Sequence, residues 1–159
     1  MFYYQTKDDI NFPCVALSIN SFLEEFQIDC KDKEVVILGT SYLVGHPTYT
    51  LFESKGAKVV MENEFDSKLA QKVKAADIVV AALGRGKILS ENDVKNGAIV
   101  FDVGIRLDDC EGCTTLSGDT DYKAVKLKAT EHGEVYYPSS GRNWTADCGL
   151  DAPQFISLL

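Results

Sequence analysis

The stretch that most constrains this chain is Val35-Val36-Ile37-Leu38, an unbroken apolar run that stops at Gly39. Such a run fits a strand covered on both faces, as in a parallel sheet with helices above and below it. The following residues, Gly39-Thr40-Ser41-Tyr42-Leu43-Val44-Gly45, form a glycine-bounded loop. His46 to Lys55 then reads as a helix, with Pro47 in its first turn, where the absent N–H costs little. Gly56 stands where a helix C-terminal cap is expected.

The pattern repeats downstream. Ala57 to Met61 reads as a second strand, and Asp66 as the N-cap of a helix running to about Ala75. Asp77 to Ala82 is the third strand, stopped near Gly84. Ser90 is expected to cap a short helix through Val94, and Ala98 to Phe101 to form a fourth strand that ends at Asp102-Val103-Gly104. This alternation implies right-handed crossovers and a Rossmann-type, doubly wound α/β fold, with a mostly parallel sheet and helices on both faces. Ahead of the first strand, Val15 to Phe26 carries Leu17, Phe22, Leu23 and Phe26 at helical spacing. Leu107 to Thr114 reads as irregular, Tyr122 to Glu131 as a helix and Val135-Tyr136-Tyr137 as an edge strand. Thr145 opens a last helix that Pro153 limits or kinks. With 159 residues and no internal repeat or long linker, a single domain is expected, with its core at about residues 30–125.

Composition narrows the function. With 24 acidic residues against 16 basic ones, the net charge of -8 repels phosphate backbones, so no nucleic-acid partner is expected. Lys123 to Lys128 is spaced like a solvated helix face rather than a basic patch. No apolar run approaches the roughly 20 residues that span a bilayer, and Met1 to Asp9 lacks the pattern of a signal peptide. A cytoplasmic protein without a membrane partner is expected, and its five cysteines are expected to be free thiols.

The loop after the first strand is the main chemical signal. A helix N-terminus offers unpaired N–H groups and a partial positive charge, and glycine lets a phosphate approach the backbone. Gly39 and Gly45 are present, with Ser41 where a middle glycine of a dinucleotide fingerprint would stand. The same residues also fit an ordinary strand-to-helix turn. Cys110-Glu111-Gly112-Cys113 supplies two of the four ligands that a zinc site needs, and Cys14, Cys30 and Cys148 are not spaced to complete it, so no metal is expected. His46 is placed near a phosphate position and His132 at a helix end, where a cation suits the dipole. Asp119 and Asp121 fit turn and cap roles. No nucleophile–base constellation is present by motif, and no catalytic residue is assigned.

Several segments together resemble one family. They are Phe12-Pro13-Cys14, Ile28 to Lys33 ahead of the first strand, and Gly39-Thr40-Ser41-Tyr42-Leu43-Val44-Gly45-His46-Pro47. Ala75 through Gly84, Gly97 through Ile105 and Gly118-Asp119-Thr120-Asp121-Tyr122 continue the match. In this order they are similar to the C-terminal domain of the bifunctional methylenetetrahydrofolate dehydrogenase/cyclohydrolases. The resemblance implies a nicotinamide dinucleotide site. The phosphates would lie at Thr40-Ser41, and the adenine, ribose and nicotinamide would lie along Gly84 and Gly104-Ile105. It also implies a turn next to the cofactor cleft at Asp119, and a dimer formed through this domain.

The sequence departs from the family in four places. The family's N-terminal domain, with its catalytic Tyr-x-x-x-Lys pair, is not matched. Tyr3 and Lys7 share that spacing but stand just before Phe12-Pro13-Cys14, and they read as an exposed N-terminus. The folate-side loop is rewritten as Pro138-Ser139-Ser140-Gly141-Arg142-Asn143-Trp144-Thr145, which fits either loss of a folate site or a different ligand held by Trp144 and Arg142. Thr40 stands where NADP-type members place an Arg. The second strand ends in Glu62-Asn63-Glu64, suited to a ribose diol and repulsive to an extra phosphate. Two unit charges about 4 Å apart at an effective dielectric near 20 repel by roughly 4 kcal/mol.

The expected site comprises Gly39, Thr40, Ser41, Val44, Gly45, Glu62, Asn63, Leu83, Gly84, Gly104, Ile105 and Thr145. NAD is expected to be favoured over NADP. Two readings of function stay open. One is a part of a split folate one-carbon oxidoreductase whose partner chain completes the cleft. The other is a non-catalytic nucleotide-binding or dimerisation module.

Overall fold

The apolar runs become the strands of one parallel sheet. The computed structural model of the chain describes residues 12–110, 113–129 and 135–136. The elements in chain order are α1 (Cys14–Glu25), β1 (Glu34–Leu38), α2 (Gly45–Ser54), β2 (Lys58–Glu62), α3 (Ser67–Ala75), β3 (Ile78–Ala81), β4 (Ile99–Asp102), β5 (Arg106–Cys110), β6 (Cys113–Ser117), α4 (Tyr122–Ala129) and β7 (Val135–Tyr136). The main sheet runs β2-β1-β3-β4-β7, and every neighbouring pair is parallel. Val135–Tyr136 thus forms the expected edge strand. No described helix is long and apolar enough to cross a membrane.

Successive strand residues point to opposite faces, so each apolar run feeds two cores. Val35, Ile37, Ile78, Val80 and Phe101 pack with Ile19, Phe22 and Leu23 of α1 and with Leu51 and Phe52 of α2. Val36, Leu38, Val79, Ala81 and Val100 pack on the other face with Leu69 and Val73 of α3, with Val125 of α4 and with Leu89, Val94 and Ala98. The sheet is therefore doubly wound. Phe52 is fully buried, and truncating such a residue to Ala costs about 3–5 kcal/mol.

Local signals explain the helix ends. The Asp66 carboxylate accepts the Lys68 and Leu69 amides at 3.0 and 2.8 Å, capping α3 as expected. Gly56, at φ +79°, lets the chain leave α2: its amide reaches the Glu53 carbonyl and that of Ala57 reaches Phe52. This pair of bonds satisfies carbonyls that the last helical turn leaves open.

Three sequence expectations are corrected. Ser90 does not start a helix, because its amide and hydroxyl both bond the Asp93 carboxylate and close a turn. Residues 106–117 are not irregular but form an antiparallel hairpin, with Cys110 opposite Cys113. A two-stranded ribbon outside the sheet needs no apolar run, so Asp108, Asp109, Thr114 and Thr115 concealed it. In α1, Leu17 is 48% exposed, while Ala16 and Ile19 join Phe22 and Leu23 in the core.

Candidate functional site

The chain leaves β1 for β2 on one side and returns through α3 to β3 on the other side of β1. In open α/β sheets, ligands bind where the strand order reverses, outside the carboxyl ends of the strands. That point lies between β1 and β3, and most of the expected site residues gather there.

Gly39 follows β1 at φ +125°, and a Cβ on it would sit 2.5 Å from the Ala82 carbonyl oxygen at the end of β3. Its amide donates to the Glu62 carbonyl at 2.7 Å, which places the end of β2 beside the same loop. A Cβ on Gly45 would meet the Gly39 carbonyl oxygen at 2.0 Å. The two glycines therefore make one tight turn possible, and neither tolerates a side chain. Within the turn, the Ser41 hydroxyl accepts the Val44 and Gly45 amides at 3.1 and 3.4 Å, and its carbonyl accepts the His46 amide at 3.0 Å. With Pro47 lacking an N–H, the first turn of α2 is satisfied internally. The amides of Thr40, Ser41, Tyr42 and Leu43 meet no acceptor among the described residues. His46 is exposed and stacks on Tyr42, with ring centroids 5.0 Å apart.

The loop after β3 is held differently. The Asp119 carboxylate accepts four successive amides: Leu83 at 2.6 Å and Gly84 at 2.8 Å on one oxygen, Arg85 at 2.7 Å and Gly86 at 3.0 Å on the other. Gly84 and Gly86 adopt φ +64° and +72°, which lets the amides converge. Asp119 is itself fixed by Asp102, the last residue of β4. One Asp102 oxygen accepts the Asp119 amide at 3.0 Å; the other accepts the Thr120 amide and hydroxyl at 2.9 and 2.6 Å. Both aspartates are fully buried. Burial pushes the Asp102 carboxyl up to about 6, against the Thr120 and Asp119 hydrogen bonds, which favour its charged form. The negative charge of Asp119 adds to the rise.

Gly104 belongs to this network. A Cβ there would lie 2.2 Å from the Asp119 carboxylate, so the missing side chain makes room for Asp119. Ile105 is exposed beside it, and its carbonyl would lie 3.4 Å from a Cβ on Gly84. Glu62 and Asn63 are exposed at the end of β2, Val44 and Leu83 are half-buried, and Thr40 lies half-buried at the turn. Asp121 acts through its main chain, its amide donating to Leu89 and its carbonyl accepting Val125. Thr145, Tyr3, Lys7, His132 and the Pro138–Trp144 segment lie outside the described residues.

Sequence reasoning did not find the Asp102–Asp119 chain. One signal was available: Asp102 ends an otherwise apolar strand, and a carboxylate buried there requires partners. Those partners are two main-chain amides, which no side-chain motif marks, and the Thr120 hydroxyl.

With this geometry in view, the relatives are informative. The family model of the tetrahydrofolate dehydrogenase/cyclohydrolase NAD(P)-binding domain matches residues 13–136. The bifunctional protein FolD of Fusobacterium nucleatum is 35% identical over 127 residues, covering 80% of this chain and 44% of that protein. The crystal structure of the bifunctional FolD methylenetetrahydrofolate dehydrogenase/cyclohydrolase of Campylobacter jejuni superposes with TM-score 0.71 at 31% identity, over 81% of this chain and 44% of that one. The Trypanosoma brucei FolD, solved with NADP cofactor and an inhibitor, also gives TM-score 0.71, at 27% identity, over 81% of this chain and 44% of that one. The chain spans less than half the length of these relatives. The segments around β1, β3 and β4 that build the crevice all lie inside the matched region, and the chain belongs to the tetrahydrofolate dehydrogenase/cyclohydrolase family, matching its NAD(P)-binding domain.

Proposed function

We propose that this chain binds a nicotinamide dinucleotide in the crevice at the carboxyl ends of β1, β3 and β4, and that it favours NAD over NADP. The observation that carries the reading is the row of amides at Thr40, Ser41, Tyr42 and Leu43 that have no acceptor among the described residues, at the point where the strand order reverses. Unpaired main-chain N–H groups beside a helix N-terminus suit a pyrophosphate. Gly39 and Gly45 hold the turn that aims them, while Ser41 and Val44 shape its far side.

The cofactor preference rests on charge. The end of β2 carries Glu62, Asn63 and Glu64 with no cation among them, and the facing turn offers Thr40. Carboxylates there accept hydrogen bonds from a ribose diol and repel an additional phosphate dianion. Leu83, Gly84, Gly104 and Ile105 are assigned to the adenine, ribose and nicotinamide positions of the ligand.

When bound, such a cofactor supplies a hydride donor or acceptor; the chain's own residues bind it, orient it and shield it from water. Transfer to a folate-bound one-carbon unit needs a second wall that holds the substrate face to face with the nicotinamide. We propose that this wall lies beyond the dinucleotide-binding domain, on a partner chain or on a further part of the protein. The domain itself pairs with a second copy.

Calorimetric titration of the 159-residue chain with NAD and with NADP tests the reading, repeated with Glu62→Ala. Tighter binding of NAD, with the gap narrowed in the variant, supports it. Absence of heat with either dinucleotide overturns it and favours a non-catalytic interaction module.

A further inference from the structure

The two loops that face each other across the crevice present opposite hydrogen-bonding character. Residues 40–43 offer donors. In the loop after β3, the amides of Leu83, Gly84, Arg85 and Gly86 are all spent on Asp119. Across a trans peptide, C=O and N–H point in opposite directions. The carbonyls that precede those amides, at Ala82, Leu83, Gly84 and Arg85, therefore turn away from Asp119. The Arg85 carbonyl is taken by Arg106 Nη1 at 2.7 Å. The Ala82 carbonyl faces Gly39 across the switch point. Those of Leu83 and Gly84 meet no donor among the described residues.

Asp119 has little freedom to let go. Its amide is held by Asp102 and its carbonyl by the Leu89 amide at 3.0 Å, while the Lys87 amide holds the Gly118 carbonyl at 2.9 Å. Gly104 closes against the carboxylate, and only the lack of a side chain there leaves room.

We propose that Asp119 is a positioning residue that sets the polarity of the crevice: by drawing the amides of residues 83–86 onto its carboxylate, it makes this loop an acceptor wall for the hydroxyl or carboxamide donors of a dinucleotide and leaves the phosphates to residues 40–43. The inference rests on the dinucleotide reading and assigns the ends of the ligand within it. Asp119 occupies the anion position of the 83–86 loop, so a ligand phosphate finds no free main-chain N–H among these four residues.

The test compares the full chain with Asp119→Asn and the milder Thr120→Val, which removes one of the bonds that fix Asp102. The probes are NAD and inorganic pyrophosphate, with binding read from the NMR shifts of individual amides. In Asp119→Asn the substituted side chain turns N–H donors toward half of the loop's own N–H groups, so the loop loses its set orientation. We expect Asp119→Asn to weaken NAD by about tenfold or more while pyrophosphate changes less than about twofold and still shifts residues 40–43. Thr120→Val shows the same split at smaller size. Equal losses for both probes mean a general structural role and overturn the proposal, as does unchanged NAD affinity.

Amide hydrogen exchange separates this proposal from the reading beneath it. If the unmodified chain binds no NAD, the dinucleotide reading fails and the ligand assignment falls with it. Exchange at residues 83–86 that accelerates in Asp119→Asn, with β2 amides unchanged, still upholds Asp119 as the residue that positions the loop. Unchanged exchange there overturns that role whatever the ligand does.

Discussion

A methyl group on Gly104 would lie 2.2 Å from the carboxylate carbon of Asp119, far inside van der Waals contact. The carboxylate cannot retreat without releasing the four amides it holds. Gly104→Ala is therefore expected to destabilise the chain by about 3 kcal/mol, combining overpacking with buried donors left unpaired. Urea unfolding of the variant measures this. A loss below about 0.5 kcal/mol would mean that the contact is soft and the network adjustable.

Asp102 makes stability depend on pH in the direction opposite to an ordinary salt-bridged carboxylate. Its ordinary value is 3.8, and burial raises it to about 6 in the folded chain. The folded state therefore holds the proton more tightly. The stabilisation from that proton is complete below about pH 4 and is lost as pH rises through 6. A shift of this size corresponds to about 3 kcal/mol. The difference in unfolding free energy between the parent chain and Asp102→Asn should change by that order between pH 4 and pH 7. A flat difference across this window would show that Asp102 titrates normally.

Ser41 separates capping from ligand binding. Ser41→Asp preserves a side-chain acceptor for the Val44 and Gly45 amides, because Asp caps as well as Ser. It also brings a negative charge to the proposed pyrophosphate position. Thermal stability should stay within about 1 kcal/mol of the parent while dinucleotide affinity falls by at least about tenfold. Retained affinity would move the phosphate position elsewhere.

Thr48 is fully buried on α2, and its hydroxyl has no hydrogen-bond partner among the described residues. Replacing an unpaired buried hydroxyl by a methyl of similar shape removes a desolvation cost, so Thr48→Val should stabilise the chain by about 1 kcal/mol. Calorimetric melting gives the answer, and a destabilised variant would show that the hydroxyl has a partner after all.

Asp77 gives a modest effect of the usual sign. Burial pushes its carboxyl up, but the Lys95 ammonium and the Glu34 amide outweigh this and hold it below its ordinary value. Its contribution is present above about pH 4 and is lost as pH falls. Because both side chains are partly exposed, Asp77→Asn should cost no more than about 1 kcal/mol at pH 7. A chemical denaturation series at pH 7 and pH 3 checks both the size and the sign.

The sheet was legible in the sequence because Val35-Val36-Ile37-Leu38 and Ile78-Val79-Val80-Ala81 can be little else once a glycine ends each run. The loop between Gly39 and Gly45 was legible for the same reason. The β5–β6 hairpin was not, because a two-stranded ribbon separate from the main sheet need not carry an apolar run. Gly104 was read as lining a cofactor, and its second part, making room for Asp119, was not legible. That contact joins positions on different elements, and the amides that complete it at residues 83–86 look alike in every sequence. Leu17 fitted the helical period of α1 yet faces out, while Ile19 faces in, since the burial arc of a short helix is set by where β1 and α2 lie.

The shape of the loop after β3 is written in main-chain N–H groups, and this frees its side chains. Arg85 is exposed and, among the described residues, is held through its amide and carbonyl. Exchanging residues there should alter the surface of the crevice without altering its frame, provided Gly84 and Gly86 keep their left-handed backbone. The frame is inherited instead from Asp102, Gly104 and Asp119, none of which lies within the loop. A graft of residues 83–86 alone into another sheet would carry the letters of this loop but not its form.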